Sequence, residues 1–131
     1  MSRIGDLVID CAHPGRLARF WAQALDDHDV APYDDEELRR LRALGVHDVM
    51  DDPTVLLEPS SPGLRLWFQQ VPEPKVTKNR VHLDLVTDDL EREVARLVAL
   101  GASRSVARTE PGTVVMHDPE GNEFCLQGPP D

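Results

Sequence analysis

A strand, a helix and a group of short strands occur once along this chain, and then the same order occurs again. That duplication constrains the fold more than any other feature. Residues 4–11 alternate as a half-buried strand with Leu7, Ile9 and Cys11 on one face. His13-Pro14-Gly15 then opens a helix, where Pro14 suits the first helical position because its missing N–H has no role there. Leu17, Phe20, Trp21, Ala24 and Leu25 recur at helical spacing and form one apolar stripe that packs on a sheet. Strands are predicted at Thr54–Glu58 and Leu64–Gln70, joined by the turn Pro59-Ser60-Ser61-Pro62-Gly63. From Arg80 the order repeats. Arg80–Thr87 alternates with His82, Asp84 and Val86 on one face, and Asp88 with Glu91 makes a capping-box-like helix start. Leu90, Val94, Leu97 and Val98 form the second stripe, and Gly101 ends that helix. Strands at Ala102–Arg108, Thr113–His117 and Asn122–Gln127 follow, the last two flanking the turn Asp118-Pro119-Glu120-Gly121.

Each copy is an open sheet with one helix on its back, and neither buries its sheet face alone. The expected fold is therefore α+β, with two βαβββ modules in one domain forming a curved mixed sheet around a central cleft. Module one covers about residues 1–74 and module two about 75–131, and 131 residues suffice for one core. Residues 26–53 are the least regular stretch. Val30-Ala31-Pro32-Tyr33 suggests a short edge strand, and Asp34 to Leu44 a surface helix burying Leu38, Leu41 and Leu44. The acids at its start and Arg39, Arg40 and Arg42 later suit the helix dipole. Residues 71–80, with two prolines and three bases, read as a connector.

Acids outnumber bases 24 to 14, giving a net charge of −10, which opposes nucleic-acid binding because phosphates need clustered cations. The acidity reads as a solubility feature. No apolar run approaches the roughly 18 residues of a membrane span, and the N-terminal stretch lacks a signal-like apolar core, so a cytoplasmic protein is expected. Cys11 and Cys125 lie far apart with no paired spacing, and both are expected to pack as small apolar thiols. His13, His28 and His47 are expected in loops or helix starts, exposed to solvent. No nucleophile–base pair or glycine-rich phosphate loop stands out.

The run Val81-His82-Leu83-Asp84-Leu85, the helix end Leu100-Gly101-Ala102 and the turn Asp118-Pro119-Glu120-Gly121-Asn122-Glu123 resemble the second module of glyoxalase-like proteins. That superfamily, the vicinal oxygen chelate proteins, also holds extradiol dioxygenases, epimerases, and bleomycin- and fosfomycin-resistance proteins. The stretch from Trp67 through Lys75 and Lys78-Asn79-Arg80 to His82 resembles a bacterial subgroup known as glyoxalase-like domain proteins. The resemblance covers nearly the whole chain and is weakest over residues 26–53. In the metalloenzymes it implies, ligands come from the first and last strand of each half. One divalent ion then takes two adjacent substrate oxygens and stabilises an anionic intermediate as a Lewis acid. The resemblance places such ligands here at His82 and Glu123. Superposing Leu25-Asp26 on Leu100-Gly101 sets Leu7 against His82, and superposing Gly63-Leu64-Arg65 on Gly121-Asn122-Glu123 sets Arg65 against Glu123. Leucine cannot ligate, and arginine is a permanent cation that repels a divalent ion. A two-residue slip offers only Trp67.

Two readings follow from the resemblance. In the first, Arg65 pairs with Glu123 across the cleft, no cofactor binds, and the pocket offers Arg65, Trp67, Gln69, His82 and Asp84 to a polar or anionic small molecule. In the second, the chain dimerises or refolds so that Asp84, or a carboxylate such as Glu58, completes a site for one divalent ion (Fe, Mn, Ni or Zn). The first favours a protein that binds or sequesters a small metabolite or toxic compound. The alternative is an enzyme of lyase, isomerase or dioxygenase type, with His82 and Glu123 as metal ligands or as general base and acid. A plain interaction domain is disfavoured, because both residues match the ligand positions of the resembled family. The resistance proteins of that superfamily are commonly dimers, which leaves a homodimer open.

Overall fold

In the computed structural model, which describes residues 1–130, the chain divides after Pro74 into two compact units. The first runs β1 (Asp6–Cys11), α1 (Pro14–Ala24), β2 (His28–Val30), α2 (Asp35–Ala43), a 3-10 turn (Val49–Asp51), β3 (Thr54–Pro59) and β4 (Arg65–Gln70). Its four-stranded sheet has the order β1-β4-β3-β2, with β1 parallel to β4 and the other pairs antiparallel. One pleat phase is apolar: Val55 and Leu57 on β3, and Leu66 and Phe68 on β4, are buried together with Leu17, Ala18, Phe20 and Trp21 of α1. Helix α1 packs against both β3 and β4. Gly15, in its first turn, is a packing glycine. A Cβ there would sit 2.4 Å from the Met50 carbonyl oxygen, so the 3-10 turn lies directly on the helix start.

Helix α2 forms where its charge order predicts. Asp34 accepts a hydrogen bond from the Glu37 N–H at 2.8 Å, acids fill the first turn, and Arg40 and Arg42 lie in the last. Its buried side is narrower than expected: Leu41 is buried and Leu38 partly so, but Leu44 stands at the C-cap and is exposed. The expected edge strand lies slightly earlier, as β2, and the chain makes a last bond from the Ala31 N–H to the Leu56 carbonyl at 2.9 Å. Pro32 has no N–H with which to continue it.

The second unit repeats the plan with β5 (Asp84–Val86), α3 (Leu90–Leu100), β6 (Ser103–Arg104), β7 (Thr113–His117) and β8 (Glu123–Gln127). Its sheet order is β5-β8-β7-β6, and β5 is parallel to β8. Val94 and Leu97 of α3 are buried with Val114, Met116, Phe124 and Leu126 of the sheet. Four expectations shift. Strand β6 keeps only Ser103–Arg104 of the expected Ala102–Arg108, and Val98 of the expected stripe is exposed. The helix is capped by Asp89, accepting from the Arg92 N–H at 3.2 Å, rather than by Asp88. Strand β5 has three residues instead of eight, since the ladder to β8 starts only at Asp84 and residues 80–83 stay outside it. The turn before β8 is held by the buried Asp118, whose carboxylate accepts from the Glu120 and Asn122 N–H groups and the Asn122 side-chain amide. Gly121 takes φ +88° there, a conformation that favours glycine. Among the described residues no helix is long and apolar enough to cross a membrane.

Candidate functional site

Each sheet has one face covered by its helix and one face open, and the chemistry lies on the open faces. On β4 the burial of Leu66 and Phe68 sends Arg65, Trp67 and Gln69 to the other side. Their neighbours on the parallel strand β1 are Asp6, Val8 and Asp10 respectively. The Arg65 guanidinium grips Asp6 at two points, Nε to Oδ1 at 2.8 Å and Nη2 to Oδ2 at 2.9 Å. It also lies 5.9 Å from the centre of the Trp67 ring, within cation–π range. The Arg65 hydrogen bonds hold the Asp6 carboxyl below the usual carboxylate range, with a smaller contribution from the Trp67 indole. Glu58, on the other neighbouring strand, adds a further negative charge that acts on Arg65.

On β8 the burial of Phe124 and Leu126 turns Glu123, Cys125 and Gln127 to the open side. Asp84 stands directly opposite Cys125 in the ladder. His82, two residues earlier, brings Nε2 to 3.2 Å from Asp84 Oδ1, and both side chains are about half exposed. Ligand atoms of His82, Asp84 and Cys125 all fall within 4.8 Å of one another. Burial pushes the Cys125 thiol up, as do the charge of Asp84 and a hydrogen bond to it, against a lowering effect of Lys78. Glu123 is engaged elsewhere. Its Oε1 lies 3.1 Å from Lys75 Nζ, and its Oε2 accepts the Asn79 N–H at 2.9 Å. Burial raises this carboxyl, but the hydrogen bonds from the Asn79 N–H and its own N–H, and then Lys75, outweigh it and hold it at about 2.

Three sequence expectations change. The anticipated Arg65–Glu123 pair is replaced by Arg65 with Asp6 and Lys75 with Glu123. The pairing of Ile9 with the core residue Phe68 matches that of Leu85 with Leu126, which brings Asp6 rather than Leu7 to the place of His82. A one-residue slip in the superposition had exchanged the two sheet faces. His28 lies on β2 and is half-buried, hydrogen-bonded to Asp27 at 2.7 Å and to the Leu64 carbonyl at 2.8 Å. Sequence reasoning missed two residues. Alternation places Cys125 on the face of Glu123, where a packed thiol was favoured over a pocket thiol, and its meeting with His82 was not foreseen. Lys75 was seen only as part of a basic connector, and nothing in the sequence tied it to Glu123.

The positions that the family resemblance assigns to a divalent ion do not suit one. The place matching Glu123 holds Arg65, a permanent cation that already chelates Asp6, and Glu123 itself is neutralised by Lys75. In each module, an ion would have to displace a cation from the carboxylate it pairs with.

Comparison with known proteins gives a consistent picture. Residues 6–127 match the family described as glyoxalase-like domain. The search of curated proteins returned no match. Among solved structures, a glyoxalase/bleomycin resistance protein/dioxygenase family enzyme from Burkholderia phytofirmans is similar at 15% identity and TM-score 0.66, covering 97% of this chain and 98% of that one. A variant of the fosfomycin resistance protein FosX from Listeria monocytogenes, complexed with Mn(II) and 1S,2S-dihydroxypropylphosphonic acid, is similar at 11% identity and TM-score 0.66, covering 99% and 94%. The trypanothione-dependent glyoxalase I of Leishmania major is similar at 15% identity and TM-score 0.60, covering 98% and 87%. At such identities these neighbours speak for the fold alone.

Proposed function

The chain belongs to the glyoxalase-like domain family of the vicinal oxygen chelate superfamily, and on that footing we propose that it binds a small, partly anionic molecule without the metal set its family implies. The observation that carries this is Arg65, lying over Trp67 on an open sheet face with Gln69 one pleat further along β4. A guanidinium offers five N–H donors in a fixed fork, and Asp6 takes only Nε and Nη2. The Nη1 edge has no acceptor among the described residues and is free to take a carboxylate or phosphonate oxygen. Trp67 supplies apolar area for the body of the ligand. His82, Asp84 and Glu123, the other candidate residues, lie on the second module and are candidates for ligand binding on that module by itself. Sequestration of a toxic compound or recognition of a metabolite fits such an arrangement. A homodimer and a cytoplasmic setting belong to the proposal as well, and light scattering at micromolar concentration tests the first.

The test is thermal shift, followed by calorimetry, on small aromatic carboxylates and phosphonates beside their neutral amides. The acids should raise the melting temperature and the amides should not. Loss of a hydrogen bond to a charged group costs ~1.5–3 kcal/mol, so Arg65→Ala should weaken binding by roughly 10- to 150-fold. Equal binding of acid and amide, or an indifferent Arg65→Ala variant, would overturn the reading.

One observation favours a second reading, that of an enzyme working without metal. The contact of His82 with Asp84 resembles a base oriented by a carboxylate, as proton abstraction beside a carbonyl requires. Turnover abolished by both His82→Ala and Asp84→Asn, with ligand affinity retained, would establish it.

A further inference from the structure

The three donors gathered on the open face of the second sheet are chemically different from the set the family implies, and they lie within one module. We propose that His82, Asp84 and Cys125 form a divalent-ion site of the zinc class, displaced one pleat along β8 from Glu123.

The displacement has a structural cause. The β5–β8 ladder pairs Asp84 with Cys125, and extending it would set His82 opposite Glu123. The chain leaves the ladder first, however, and its last bond on that side runs from the Cys125 N–H to the Leu83 carbonyl at 2.9 Å. Glu123 is occupied by Lys75 and the Asn79 N–H, so His82 turns instead toward Asp84. Cys125 is already there, on the neighbouring strand and the same face.

Distances suit the proposal. Zinc bonds of about 2.0–2.1 Å to nitrogen or oxygen and about 2.3 Å to sulfur, arranged tetrahedrally, put ligand atoms ~3.3–3.6 Å apart. The imidazole and carboxylate are already 3.2 Å apart, and all three donors lie within 4.8 Å. His82 and Asp84 are half exposed, so small side-chain rotations close the remaining gap without moving the strands. The donor set selects the metal. A thiolate with an imidazole favours zinc and its relatives over magnesium, calcium or manganese, which prefer all-oxygen shells. A thiol raised by burial still ligates, because a bound ion displaces its proton. Three protein ligands leave a fourth position open, the arrangement of zinc sites that accept water or a substrate oxygen. The inference is independent of the ligand role proposed for Arg65 and Trp67 on the other module, but it competes with the metal-free base proposed for His82 and Asp84.

The experiment titrates chelator-treated, dialysed protein with Zn(II) by calorimetry and with Co(II) by absorption spectroscopy. The expected result is equimolar binding, with a thiolate-to-cobalt charge-transfer band in the near ultraviolet. Cys125→Ser should abolish the band and weaken zinc binding by more than the ~10- to 100-fold typical of losing an outer-shell partner. His82→Ala should weaken it comparably, while Glu123→Gln, which loosens the connector but removes no proposed ligand, should keep the charge-transfer band. Circular dichroism of each variant separates loss of a ligand from loss of the fold. Absence of binding by folded protein overturns the proposal. So does binding that Glu123→Gln removes and Cys125→Ser leaves intact, which would instead restore the family's own ligand set. Neither outcome bears on whether Arg65→Ala affects the binding of organic acids.

Discussion

In module one, β1 runs parallel to β4 and the sheet order is β1-β4-β3-β2; in module two, β5 runs parallel to β8 in the matching order β5-β8-β7-β6. Their covered faces also agree. Val55, Leu57, Leu66 and Phe68 in one correspond to Val114, Met116, Phe124 and Leu126 in the other. The open faces share almost nothing. Asp6, Val8, Arg65 and Trp67 stand where the second module has His82, Asp84, Glu123 and Cys125. One pleat phase thus specifies the fold and tolerates little change, because those side chains of the central strands are buried. The other phase loses little burial when it changes, and there the two copies have become a cation–aromatic platform and a cluster of metal-ligand types. The helices differ in degree as well. Helix α1 buries Leu17, Phe20 and Trp21 among others and is held at its start by the 3-10 turn, whereas α3 buries Val94 and Leu97.

The largest expected effects test that difference in packing. Trp21→Ala should cost ~3–5 kcal/mol, and Leu97→Ala should fall toward the lower end of ~2–5 kcal/mol, both read by chemical denaturation. Equal losses would mean that the two helices contribute alike and that the asymmetry is only one of area. Next comes the turn that opens β8. Asp118→Ala takes the buried acceptor from the half-buried N–H groups of Glu120 and Asn122, at no more than ~1–3 kcal/mol for each. Gly15→Ala probes the close approach peculiar to module one. The added methyl meets backbone, not a flexible side chain, so a loss of ~1–3 kcal/mol is expected. A Gly15→Ala variant as stable as the parent would show that the 3-10 turn yields freely.

Much of this plan is legible in the sequence, and the parts that are not share a cause. The stripe of α1, the α3 stripe except for the exposed Val98, the βαβββ repeat and the charge order of α2 follow from periodicity and local chemistry, and the structure has them. Strand ends were harder to read. Residues 80–83 alternate like a strand, yet Glu123 draws the preceding connector aside through Lys75 and Asn79, and the ladder begins only at Asp84. Of the candidate site residues, the open-face positions of Arg65, Trp67, Gln69, Asp84 and Glu123 follow from alternation once the buried phase is known. Their partners do not. That Arg65 grips Asp6, and that Cys125 meets His82 and Asp84, depends on which strands lie side by side, and parallel pairings between residues so far apart in sequence leave no local trace.

The smallest effect concerns the two carboxylates that cations hold, one in each module. Both Asp6 and Glu123 are pushed below their ordinary range, Glu123 from 4.5 to about 2. A folded-state value depressed in this way contributes stability that is fully present above the ordinary value and is lost as the pH falls through the folded one. Anchoring of the connector by Glu123 should therefore persist through pH 4.5 and fail only on approach to about 2. Carbon-detected NMR of the Glu123 carboxyl should report that midpoint directly, and the Asn79 amide should move with it, since its N–H is the donor. Lys75→Met should raise the midpoint only partway toward 4.5, because the Asn79 N–H and the residue's own N–H rank above Lys75 among the lowering causes. A full return to 4.5 in that variant would assign the clamp to the ammonium alone and make module two's ion pair the counterpart of Asp6 with Arg65. No return at all would make the backbone N–H groups sufficient, and the second module would then hold its carboxylate by a means the first does not use.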